Sequence, residues 1–216
     1  MNIFAYCSNN VINKFDPSGR KSFRLSECWF AVRHPVIARQ IGQVIEGKRC
    51  LNISTTAVRF AIGLGLKNPD SANKEGTQVN ALRHTMWTGI ILSKYGPSIA
   101  RDAVRSHEDR SLLYVADEVM KLSEKTIQSR YYDSHKQADG ICDVLNNEIA
   151  LSMPWSNTPT KQICKDILTI YYEKGLWVID ESVTDGFRIT RQCLSDDEYN
   201  TAMIMLENLD EYGFSD

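Results

Sequence analysis

No run of apolar residues in this 216-residue chain approaches the roughly 18 that a membrane-spanning helix needs. The N-terminus also lacks the charged, then apolar, then small-residue order of a secretory signal. Neither sign of charge dominates: 25 Lys and Arg stand against 27 Asp and Glu, a formal net charge of -2. That balance gives no global electrostatic footprint for nucleic acid, although it leaves room for a local basic patch. The six cysteines (Cys7, Cys28, Cys50, Cys142, Cys164 and Cys193) include no Cys-x-x-Cys pair, so a zinc knuckle or thioredoxin-like site is unsupported. Dispersed cysteines in a chain of this size behave as small buried hydrophobes, and reduced thiols are expected. Internal repeats and low-complexity tracts are missing too. What remains is ordinary for one soluble globular domain: 43% hydrophobic and 24% charged residues, enough for a core that needs no staples.

Periodicity points to helices. Residues 21–33 are too mixed to assign. Pro35 opens a helical pattern through Val36, Ile37, Ile41, Val44 and Ile45, with Gly47 as its stop. Ser54 or Thr55 can cap a second helix through Val58, Phe60, Ala61, Ile62 and Leu64. A polar loop is expected over 67–76. A long helix follows from Gln78 to Tyr95, with Leu82, Met86, Gly89, Ile90 and Ser93 on one face and Gly96-Pro97 as the stop. Another helix is expected from Ser98 to His107. Residues 109–137 read as polar loop with one helical stretch at 112–122. Two more helices are expected, from Gln137 to Leu151 and from Thr160 to Lys174. The period then changes: Leu176–Ile179 and Phe187–Thr190 flank Asp185-Gly186, a hairpin signal. Ser195-Asp196-Asp197-Glu198 opens a last helix as a capping sequence. The expected fold is mainly α, a compact multi-helix domain with a small C-terminal β-hairpin and a final helix.

Three of these helices carry polar residues that apolar helices do not ordinarily tolerate. The first holds Asn80, Arg83, His84 and Trp87 at helical spacing, on or near one face. The second ends in His107-Glu108. The third holds Asp143, Asn146 and Asn147 among Ile, Val and Leu. Asn and Asp side chains compete for the helix backbone, so their presence in a buried helix needs a reason. One reason is a site. Two imidazoles and two carboxylates, His84, His107, Glu108 and Asp143, suit acid–base catalysis, or a divalent metal held by His84, His107 and Asp143. Asn80, Arg83, Trp87, Asn146 and Asn147 would then contact substrate, with Arg83 suited to phosphate or carboxylate. The other reason is a satisfied hydrogen-bond network that fixes helix register. His34 and His135 read as surface residues, and nothing marks Cys142 as an activated nucleophile.

The N-terminal stretch adds a different signal. Phe4 and Tyr6 alternate, Asn9-Asn10 form an amide pair, and Asp16-Pro17-Ser18-Gly19 is a strong turn. In this order and spacing the residues resemble the end of the core domain of Rhs (YD-repeat) proteins, with Val11 where that family usually has Pro. The resemblance implies two parts: residues 1–20 as a remnant of the core terminus, and residues 21–216 as a variable toxin payload. It also implies that Met1 opens a detached fragment. Residues 35–210 resemble a payload domain found behind such cores. The match rests on Arg83-His84-x-x-Trp87, Gly96, Ala100, His107-Glu108 and Asp143-x-x-Asn146-Asn147. It departs at Ser106 and at Ala150-Leu151.

The resemblance implies a C-terminal effector for competition between bacteria. It would be delivered without a signal of its own and be cytoplasmic when expressed as this fragment. Implied partners are a cognate immunity protein and the parent Rhs core or delivery machinery. The residues favour a hydrolase, with a phosphoester in nucleic acid or phospholipid as the first substrate class. Two alternatives stay open: a non-enzymatic toxin that permeabilises membranes, and an inactive displaced tip. Every helical pattern lies beyond the Asp16–Gly19 turn. Deleting residues 1–20 should therefore leave the remainder folded, with thermal melts of the two chains agreeing closely; a truncated chain that fails to fold would refute the division.

Overall fold

A computed structural model describes residues 25–45, 50–67, 75–108 and 110–215. Among them are nine α-helices and one two-stranded antiparallel sheet. In chain order they are α1 (Leu25–Arg33), α2 (Pro35–Ile41), α3 (Ile53–Gly63), α4 (Gln78–His107), α5 (Arg110–Val119), α6 (Glu124–Ser129), α7 (His135–Leu151) and α8 (Thr160–Glu173), followed by β1 (Leu176–Ile179), β2 (Ile189–Gln192) and α9 (Asp196–Glu207). The Phe4–Gly19 motif and Gly47 lie outside the described residues, as do residues 68–74 of the expected loop.

The central element is α4. The expected stop at Gly96 is a sharp break inside it: Gly96 sits at φ 82°, ψ 172°, and Pro97 restarts the helix. A positive φ there suits glycine, and Pro tolerates a first helical turn. Around α4 pack α1, α3, α7, α8 and β1. The main core joins Phe60, Leu82, Met86, Ile91, Ile163, Ile167, Leu168 and Tyr171. A smaller core under α5, α6 and the hairpin joins Val119, Ile127, Ile141, Val144, Leu145, Trp177 and Ile189. Helix α7 is shared between the two, and every residue from Ala138 to Asn147 is buried. No helix among the described residues is long and apolar enough to cross a membrane.

Several local expectations need correction. The unassigned stretch contains α1, whose Phe30 and Ala31 are buried. Helix α2 ends at Gly42, at φ 62°, so Val44 and Ile45 fall outside it. The cap of α3 is Asn52, which accepts from Thr55 N–H at 2.8 Å. Ser54 is occupied elsewhere, donating to Gly42 O at 2.9 Å and accepting from Trp87 Nε1 at 3.1 Å. The polar 109–137 stretch holds a second helix, α6, capped by Ser123. The hairpin is offset: Ile179 pairs with Ile189, and Phe187 instead bridges Tyr132. Asp185-Gly186 is thus part of a wider loop over 180–188, closed by Asp180 N–H donating to Arg188 O at 2.9 Å. By contrast, Ser195 and Glu198 form the expected capping box of α9. Cys50, Cys142, Cys164 and Cys193 are free thiols, and burial pushes the Cys142 and Cys164 thiols up.

Gly89 shows how tightly α4 meets its neighbours. A Cβ at this position would lie 2.8 Å from Trp155 Cζ3 and 2.9 Å from Ile163 Cγ2. The indole cannot yield easily, because Trp155 Nε1 donates to Asp166 Oδ2 at 2.9 Å. Gly89→Val should therefore destabilise the fold by about 2 kcal/mol, in the range for overpacking. Urea unfolding with an unchanged midpoint would contradict this packing.

Candidate functional site

Polar residues on α4 and α7 meet in register. Residues 80, 84 and 88 advance along α4 by four, and residues 139, 143 and 147 advance along α7 by four. Such steps keep side chains on one face. Asn80 Nδ2 donates to Asp139 Oδ1 at 3.2 Å and to Asp143 Oδ1 at 3.0 Å. His84 Nε2 lies 3.3 Å from Asp143 Oδ2. Thr88 Oγ1 donates to Asn147 Oδ1 at 2.8 Å. The two helices therefore run in the same direction along this seam. Asn80, His84, Thr88, Asp139, Asp143 and Asn147 are all buried.

Glu108 caps the C-terminus of α4 and returns to the same place. It offers a carboxylate oxygen that, with one donor atom each from His84 and Asp143, forms a set lying within 4.8 Å of one another. All three residues are buried. Arg83 reaches in from the half-buried side of α4, its Nη2 lying 2.6 Å from His84 Nε2. Burial lowers the Arg83 pKa, opposed by the charges of Asp143, Asp139 and Glu108.

The carboxylates repel one another. Burial holds Asp143 well above the ordinary carboxylate range, reinforced by Asp139 and Glu108 and opposed by Arg83 and the Asn80 hydrogen bond. Burial likewise raises Asp139 to about 6, with Glu75 adding to the effect. The hydrogen bond from Gly76 N–H, 2.6 Å long, works the other way. Cys142, next to this cluster, is buried with its thiol pKa raised, first by burial and then by Asp143 and Asp139, so it is poorly suited as a nucleophile.

His107 stands apart from the expected metal set of His84, His107 and Asp143. Its ring centroid is 6.4 Å from that of His84, and its Nδ1 turns to Glu27 Oε1 at 2.9 Å. The cause is helix geometry: His107 lies beyond the Gly96 break, on a turn facing α1, and Glu108 occupies the inner position instead. His107 is half-buried at the rim, 5.4 Å from the Trp87 ring. Trp87 in turn is tied to Ser54, so it joins α3 to the rim.

The two asparagines of α7 serve different ends. Asn146 is fully buried and clamps β1: Nδ2 donates to Trp177 O at 2.8 Å, and Oδ1 accepts from Trp177 N–H at 2.9 Å. That reciprocal pair engages both ends of the Asn146 amide at the β1 backbone, away from His84 and Asp143. Asn147 faces Thr88, deep in the seam. Glu27 and Asp139 belong to the constellation but were not expected. Asp139 has a legible signal, standing four residues before Asp143 on the same face. Glu27 had none, since the pattern around it was unassigned.

No protein-family model matches this chain, and neither a curated protein nor a solved structure matches it. Geometry alone therefore separates the clamp from the site. Asn146→Ala would leave both backbone groups of Trp177 unpaired in a buried setting. Each such group costs about 1–3 kcal/mol. Chemical denaturation should show a loss of at least about 2 kcal/mol, and a near-neutral effect would show that the clamp does not hold β1.

Proposed function

We propose that residues 21–216 form the payload of an Rhs-type polymorphic toxin and that the payload is a hydrolase. The delivered-toxin part rests on the Asp16–Gly19 motif and on the Arg-His, His-Glu and Asp-x-x-Asn-Asn pattern. The hydrolase part rests on one observation: His84, Glu108 and Asp143 converge within 4.8 Å in the interior, beside the Arg83 guanidinium. A fold seeking only stability gains little from burying such charges, since their desolvation opposes folding. Clustered groups with pKa values displaced by burial and by one another mark functional sites more often than structural ones.

The arrangement suggests a division of labour. Arg83 supplies positive charge for a phosphoester, and its planar fork suits that group. His107, at the rim, is placed to act on water or a leaving group, and Glu27 at Nδ1 holds the ring. The inner set of His84, Glu108 and Asp143 would orient and polarise the reacting centre. A phosphoester in nucleic acid or phospholipid is the first substrate class to assay. An active toxin of this kind would be neutralised by a cognate immunity protein.

Inducible expression in a bacterium tests this reading. The intact chain should arrest growth, and His84→Ala and Glu108→Gln should each relieve the arrest at least about a hundredfold in viable count, the scale of losing an acid–base or electrostatic group. Circular dichroism of the purified variants controls for folding. A folded His84→Ala chain that remains fully toxic and collapses the membrane potential would favour permeabilisation over hydrolysis. A harmless intact chain would identify an inactive tip.

A further inference from the structure

The inner set has the composition of a metal site rather than of an acid–base pair. His84 Nε2 carries this reading. Arg83 Nη2 lies 2.6 Å from it and Asp143 Oδ2 lies 3.3 Å from it. A guanidinium can only donate, so Nε2 must present its lone pair. A neutral imidazole lone pair is the form that binds a metal. The same nitrogen cannot also donate to Asp143, so Asp143 Oδ2 and Nε2 stand side by side as two electron donors. Glu108 supplies a third within the same 4.8 Å. Each donor is buried, and each comes from a different place: mid-α4, the α4 C-terminus and α7.

We propose that His84 Nε2, Glu108 and Asp143 bind one divalent first-row cation of the Mn²⁺ or Zn²⁺ kind, and that Arg83 is the counter-ion this cation displaces. One imidazole with two carboxylates suits such ions better than Mg²⁺ or Ca²⁺, which favour oxygen donors throughout. The supporting shell is also in place. Asn80 Nδ2 holds Asp143 Oδ1 at 3.0 Å, which turns Oδ2 toward His84, and Asp139 Oδ1 accepts from the same amide at 3.2 Å. Outer groups of this kind orient metal ligands. Arg83 now sits where a cation would meet Nε2, and it interacts with the same carboxylates. Displaced, it becomes available to an anionic substrate, a step that rests on the hydrolase reading; cation binding itself does not.

Calorimetric titration of Mn²⁺ and Zn²⁺ into the purified full chain, stripped with EDTA, tests the proposal without any activity assay. One equivalent of either ion should bind. His84→Ala and Glu108→Gln should weaken binding at least about tenfold, whereas His107→Ala should retain it. Arg83→Gln should tighten binding about tenfold, because a positive charge competing for the same donors is gone. Failure of the folded wild-type chain to bind either ion overturns the proposal. So does a loss in His107→Ala equal to that in His84→Ala, and Arg83→Gln that weakens binding overturns the displacement. Cation binding by a chain that is harmless in cells would leave this site standing and sink the hydrolase reading. His84-dependent toxicity in a chain that binds no cation would do the reverse.

Discussion

The register between α4 and α7 is the constraint on which the rest of the structure depends. Helix α7 is enclosed from Ala138 to Asn147, so the polar side chains of that stretch are largely withdrawn from bulk water. An unpaired buried polar group costs roughly 2–7 kcal/mol against an apolar reference. Asp139, Asp143 and Asn147 lower that cost where α4 offers partners at the same spacing. Asn80, His84 and Thr88 do so, in the same chain direction. A rotation or a one-residue slide of either helix would set these groups against Ile, Leu and Val. The satisfied polar seam therefore specifies the helix register more sharply than apolar contact does.

The seam is not uniform along its length. Toward the C-terminal ends it is neutral: Thr88 with Asn147, and Asn146 with the Trp177 backbone. These bonds join α4, α7 and β1 and need no further explanation than stability. Toward the N-terminal end of α7 it is charged: Asp139, Asp143 and Glu108 gather around Arg83. There the carboxyl pKa values of Asp139 and Asp143 are raised, which means that ionising them opposes folding. A carboxyl whose folded pKa exceeds its unfolded value favours folding at low pH, and that support is lost as pH rises toward the folded value. For Asp139 the window runs from its ordinary value near 4 up to about 6. The charged end thus weakens the fold near neutrality, while the neutral end secures it.

Much of this was legible because period and chemistry disagreed in the sequence. Apolar repeats located α7 and α8 nearly to the residue, and the capping box located α9. Asn and Asp within such repeats marked the seam, since local propensity does not favour them there. What sequence could not reveal was direction. His107 and Glu108 are adjacent, so one of them must face inward and the other away, and nothing local decides which. The Gly96 break sets that phase, and it is Glu108 that faces inward. Asn146 and Asn147 posed the same ambiguity: one grips a strand remote in sequence, the other α4. The first helix was hidden because Phe30 and Ala31 are buried while Trp29 and Val32 are exposed, which blurs its apolar stripe.

That first helix bears on where any module boundary can fall. Three contacts tie α1 to the second half of α4: Ser26 Oγ donates to Ser106 O at 2.7 Å, Arg33 Nη1 to Asp102 Oδ2 at 3.2 Å, and Glu27 Oε1 meets His107 Nδ1 at 2.9 Å. The Arg33 pair is exposed and contributes little. The other two bear on the rim, because they set the end of α4 from which His107 and Glu108 project. A division of the chain within α1 would remove Glu27 from His107 and leave the α4 terminus held only from one side. Any boundary that keeps the site whole must therefore leave Glu27 and α1 together with α4 and α7.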